Sequence, residues 1–120
     1  GVGILADLFL SKVADLTTTN ATTVYTVPTS SDSAVPKIFP TTAIMKSIHV
    51  ANDSGSADTI TLTITRGSDV FAIETVRAVD ANTAIEVLTQ PMVLSEADII
   101  KATAATANRL HVILSVMEIT

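Results

Sequence analysis

No cysteine occurs in the 120 residues, which excludes a disulfide framework, thiolate nucleophiles and zinc–thiolate centres together. The chain therefore carries no signal of a redox compartment. Aromatic residues are almost as scarce: no Trp, one Tyr and three Phe make up 3% of the sequence. Bases and sugar rings are held on aromatic faces, so stacking platforms of either kind are not expected. Positive charge is short as well, with seven Lys+Arg against twelve Asp+Glu and a formal net charge of −5. Binding to nucleic acid by counterion release needs a basic surface, so no nucleic-acid partner is expected. Charged residues of both signs reach only 16%, where a lone soluble domain carries about 25%. That deficit points to a surface partly covered by other protein, and hence to an assembly subunit. No window supplies the roughly 20 uninterrupted apolar residues of a membrane-spanning helix. The apolar opening GVGILADLFL meets its first basic residue, Lys12, only after the run, so no secretory signal is expected either.

What the chain has instead is β-branched bulk. Nineteen Thr, thirteen Val and twelve Ile account for 44 of the 120 residues, against four Gly and four Pro. Such side chains suit pleated, half-buried surfaces. The length fits one compact domain that buries enough surface to need no covalent staple. Residues 1–16 differ in grain from the rest. Ile4, Leu5, Leu8, Phe9, Val13 and Leu16 fall near helical spacing and alternate poorly as a strand. A short helix, or an arm shaped by a neighbouring subunit, is expected there. The polar connector Thr17-Thr18-Thr19-Asn20 then divides an arm over residues 1–20 from a β-domain over residues 21–120.

From residue 21 the period is two. Strands are expected over residues 22–27, 43–51, 58–65, 70–75, 83–88, 91–94, 98–103 and 109–119. Pro28, Pro36 and Pro40 bound a loop, and Arg66-Gly67-Ser68-Asp69 forms a hairpin turn. Ile60, Leu62 and Ile64 alternate with Thr59, Thr61, Thr63 and Thr65, giving one buried face and one solvated threonine ladder. The closing RLHVILSVMEI is apolar on both faces at its centre, which implies a central strand or contact with a partner. Seven or eight short strands separated by turns specify an all-β, antiparallel β-sandwich or jelly-roll-like fold.

Catalytic chemistry finds little support. His49 and His111 are the only histidines, each between apolar neighbours in a strand. On adjacent strands, facing one way, they could supply half of a metal site, but no further ligands stand at a recognisable spacing. Hydrogen-bonded or interface histidines are the simpler expectation. Asn52-Asp53-Ser54-Gly55-Ser56-Ala57-Asp58 is oxygen-rich like a calcium loop, yet Gly55 is fourth rather than sixth and Thr63 stands where a closing Glu belongs. A β-turn closed by Asx and Ser side chains accounts for the same letters. Ser115 lacks a nucleophile elbow, Gly1-Val2-Gly3 follows no strand, and Glu74, Glu86, Glu96 and Asp98 scatter over separate elements. No catalytic, cofactor-binding or metal residue is expected, and no enzyme. Subunit contacts are instead expected at Ile4, Leu5, Leu8 and Phe9 of the arm and at His111, Ile113 and Met117 of the closing strand.

Several phrases resemble small structural proteins of tailed-bacteriophage virions: Thr23-Val24-Tyr25-Thr26-Val27-Pro28, Ile48-His49-Val50-Ala51-Asn52, and Thr59-Ile60-Thr61-Leu62-Thr63-Ile64. Val93-Leu94 before Asp98-Ile99-Ile100, and the ending Leu114-Ser115-Val116-Met117-Glu118, belong to the same set. The resemblance spans roughly residues 21–119. Ala97 stands where such proteins carry a glycine before the penultimate strand, so that turn is expected to be made differently. The resemblance implies a β-sandwich component of the virion, on the outer surface of the head or on the tail. Its leading form is a decoration (cement) subunit bound to the major capsid protein. A tail, neck or baseplate accessory is the alternative, and a carbohydrate-binding module for host adsorption a further one. A homo-oligomer, trimer or cyclic ring, is expected, with the arm docked on a neighbouring subunit and no membrane partner.

Overall fold

A computed structural model describes residues 7–29 and 41–119. Nine strands run in order: β1 (Asp7–Asp15), β2 (Thr22–Thr26), β3 (Thr42–Asn52), β4 (Asp58–Arg66), β5 (Asp69–Val79), β6 (Thr83–Glu86), β7 (Met92–Leu94), β8 (Ile99–Ala104) and β9 (Leu110–Ile119). They form two antiparallel sheets, β1-β9-β3-β6 with β7 also on β3, and β2-β8-β4-β5. The pairing is nested: β1 with β9, β2 with β8, β3 with β6 and β7, β4 with β5. One long antiparallel ribbon, closed at Gly67-Ser68 and rolled over itself, gives this pattern, which is that of a jelly roll. The expected all-β sandwich is therefore the observed fold.

Period two decides what lies inside. Ala43, Met45, Ile48, Val50, Val112, Leu114 and Val116 from the first sheet meet Ile60, Leu62, Ile100 and Ala102 from the second, all buried. Leu16, Val27, Val79 and Leu94 close the ends of the sandwich. A bulge at Lys46 in the pairing with β9 keeps both Met45 and Ile48 inward, and on its other side β3 pairs with β6. There the Glu86 carboxylate accepts the amides of Ile48 at 2.8 Å and Leu88 at 3.1 Å, and the Ser47 hydroxyl. Burial alone would raise the Glu86 carboxyl, but these donors and nearby His49 hold it below the usual carboxylate range.

Three expectations change. Residues 7–15 are neither helix nor free arm but a strand paired along its whole length with β9. Leu16 lies fully inside the core, its amide donating to Leu110 O at 3.0 Å and its carbonyl accepting from Asn108 N at 2.8 Å. Helical spacing misled because Leu8, Leu10 and Ala14 lie on one face of β1 and Phe9 and Val13 on the other, which blurs a period of two. The first structural element is thus part of the sandwich, and the division at residue 20 does not separate an arm from a core. Second, Ala97 itself takes the left-handed conformation of a turn glycine, with φ 69°. Third, β9 is central within its sheet, yet only one of its faces is covered. Leu110, Val112, Leu114 and Val116 are buried, whereas Ile113 remains 37% exposed.

The loop bearing Pro36, and Ile4 and Leu5, lie outside the described residues.

Candidate interaction surface

The outer face of the β1-β9-β3 sheet is built in rows by its register. Phe9, Met117 and Ile44 stand side by side, with Val93 of β7 next to Ile44. Ser11, Ser115 and Ser47 make the second row. Val13, Ile113 and His49 make the third, continued by Glu86. Asp15, His111 and Ala51 make the fourth. The face therefore grades from apolar at one end to charged at the other. Phe9 is 73% exposed, Val13 71% and Val93 64%, and exposed apolar residues gathered on one face mark interaction sites.

At the charged end, His111 lies between two carboxylates. Its Nδ1 is 2.5 Å from Asp15 Oδ1 and its Nε2 is 3.0 Å from Asp53 Oδ2. A neutral imidazole donates from one nitrogen only, so the geometry favours the cation. The hydrogen bond to Asp15, then that to Asp53, raises the imidazole above its ordinary value. Three segments are joined here: the end of β1, the start of β9 and the turn after β3. That turn is closed by Asn52, whose Oδ1 accepts Ser54 N at 3.0 Å and whose Nδ2 donates to Ser56 O at 2.8 Å and Val79 O at 3.1 Å. The Asx and Ser turn read from the sequence is thus the one observed. Asp58 is engaged elsewhere, accepting Thr59 N at 2.8 Å and Thr106 N at 3.1 Å.

His49 and His111 do stand on adjacent strands and on one face, as a shared metal site requires. Both nitrogens of His111 are taken up by Asp15 and Asp53, and among the described residues no group of three such side chains is arranged to hold a metal ion. Tyr25 is buried, and its hydroxyl donates to the carboxylate of Glu118 across the two sheets. Burial, then that carboxylate, pushes the phenol far above its ordinary range. A tyrosine so enclosed offers no face to a sugar ring.

No family model and no curated protein matches this chain.

Of the expected contact residues, Phe9, His111, Ile113 and Met117 come together on this face. Leu8 is 53% exposed but points to the opposite side of β1, beside Glu118 in the register. Sequence reasoning missed Val13, Val93, Ile44, Asp15 and Asp53. Alternation through Asp7, Phe9, Ser11, Val13 and Asp15 was the available signal, hidden by apolar residues at the intervening positions.

Proposed function

We propose that this chain is a non-enzymatic structural subunit of a virion, of the decoration or cement kind, which docks on neighbouring capsid subunits through the outer face of its β1-β9-β3 sheet. The observation that carries this reading is the exposure of Phe9, Val13, Ile113 and Val93 on one side of the sandwich. A jelly roll is an architecture that recurs in viral capsid proteins, and a net charge of −5 suits a site remote from packaged DNA. The sequence phrases resembling tailed-phage structural proteins fall mainly in β2, β3, β4, β7, β8 and β9, the strands that make most of the core.

Copy number in purified particles is the test. Hundreds of copies per particle are expected for a subunit decorating the head, whereas about six to a few dozen would place it on the tail or baseplate by closed symmetry. Absence from particles overturns the virion reading. A charge on the face, V13K, should reduce incorporation while the circular dichroism spectrum is unchanged.

A further inference from the structure

We propose that two copies of this chain pair edge to edge through β1, antiparallel about a two-fold axis at Ser11, so that their β1-β9-β3 sheets become one continuous sheet. The two sheets present four edges. An exposed edge strand is a template for further pairing, and proteins blunt it by shortness, bulges or charge. β2 has five residues and a register shift against β8. β5 is shifted twice against β4 and carries Glu74 and Arg77. β6 and β7 have four and three residues. β1 runs nine residues in unbroken register with β9, has only the charges of Asp7, Lys12 and Asp15 as defence, and among the described residues has no strand on its other side.

Set antiparallel against itself about Ser11, the β1 sequence DLFLSKVAD pairs apolar with apolar at four of its nine positions and places Leu10 opposite Lys12. With Ser11 opposite Ser11 of the second copy, Phe9 faces Val13 of that copy, and Leu8 faces Ala14. Each pair occurs twice by symmetry. Moving the register by two residues in either direction sets Phe9 against Ser11 or Asp15 and exchanges these pairs for Leu10 opposite Leu10 or Ala14 alone, while a shift by one inverts the faces. Across the seam, Met117 and Phe9 of one copy continue into Val13 and Ile113 of the other, an unbroken apolar row. The ends of the seam place Asp7 opposite Asp15, and Asp15 is already held by His111 at 2.5 Å. The pairing does not depend on the virion reading: it concerns the isolated chain, so the two proposals fail separately.

The test uses the full chain. Light scattering should give twice the monomer mass at micromolar concentration. F9K and V13K should each raise the dimer dissociation constant about tenfold, since each removes two cross-strand pairs. F9K and V13E in one chain set opposite charges across the seam and should restore the dimer. Both positions are more than two-thirds exposed, so the fold survives and circular dichroism verifies it. Because the chain has no cysteine, S11C introduces a single thiol that should oxidise to a covalent dimer, directly opposed residues on paired strands lying within disulfide reach. V93C, also exposed on the same face, should not. A monomer at concentrations up to about 0.1 mM, a trimer or larger ring, or equal cross-linking of S11C and V93C overturns the proposal.

Discussion

Single residues carry strain and charge in this fold that composition does not reveal. Ala97, at φ 69°, and Val76, at φ 47°, hold a conformation that costs an L-residue roughly 1–2 kcal/mol. Glycine at position 97 relieves that strain but adds entropy to the unfolded chain, so A97G should stabilise the protein by about 0.5–1 kcal/mol in urea denaturation. A loss of stability would mean that the Ala97 methyl is needed in that turn. Two ion pairs act in opposite directions with pH. Asp98 is buried and receives Arg66 Nε at 2.9 Å, Arg66 Nη2 at 2.6 Å and Ser95 N at 2.7 Å. The guanidinium, aided by that amide and opposed by burial, holds its carboxyl below the ordinary value of 3.8. Its stabilisation is therefore complete above that value and is lost as pH falls through the folded pKa. His111 has the reverse sign: its contribution is complete below the ordinary 6.5 and is lost as pH rises through the higher folded value. H111Q should flatten the stability profile as pH rises above the ordinary 6.5, by at most about 1 kcal/mol per exposed pair. An unchanged profile would mean that His111 does not hold its proton there.

At the scale of elements, the strands that could be read from the sequence are those with one dry face. The threonine–isoleucine alternation of β4 and the Gly67 turn led to the observed elements, because burial on one side imposes a period of two, while β9 was read from its β-branched apolar run. β1 was illegible for a physical reason: an edge strand with apolar residues on both sides has no such period, and its partner β9 lies at the other end of the sequence. The face that β1 completes was therefore only half visible, with Phe9 and Met117 expected as contacts but Val13, Ile44 and Val93 not. The same pairing reverses the consequence of truncation. A docked arm could be removed without harm to the domain, whereas deleting residues 1–16 here strips a strand from β9 and empties the place of Leu16, fully buried in the core. Loss of one buried leucine alone costs about 2–5 kcal/mol, comparable with the whole stability of a small domain. The truncated chain should be unfolded or aggregated by circular dichroism and light scattering. A cooperative thermal transition in that chain would restore the arm as a separate unit.

The nested pairing makes the whole molecule a ribbon whose ends meet last. β4 and β5 are joined by a two-residue turn, whereas Asp7 pairs with Ile119. Closing a loop costs entropy that grows with its length, so the pairing of β4 with β5 is the least expensive start. Each further pair, β3 with β6 and β7, then β2 with β8, then β1 with β9, closes around ends already brought near. Such non-local topology folds in milliseconds to seconds rather than microseconds. The order of closure has a kinetic signature. Ile60 and Val112 are both fully buried, one near the ribbon's closed end and one near its open end. Trimming Ile60 to Val should destabilise by about 0.5–1.5 kcal/mol, and Val112 to Ala by about 1–3 kcal/mol. If the ribbon zips outward, I60V slows folding with little effect on unfolding, while V112A leaves the folding rate nearly unchanged and accelerates unfolding. Stopped-flow chevrons in urea separate the two. The opposite partition, with V112A slowing folding and I60V affecting only the unfolding limb, would show that the strands near the termini meet first, and that the jelly roll is assembled from its long-range pairs rather than from its hairpin.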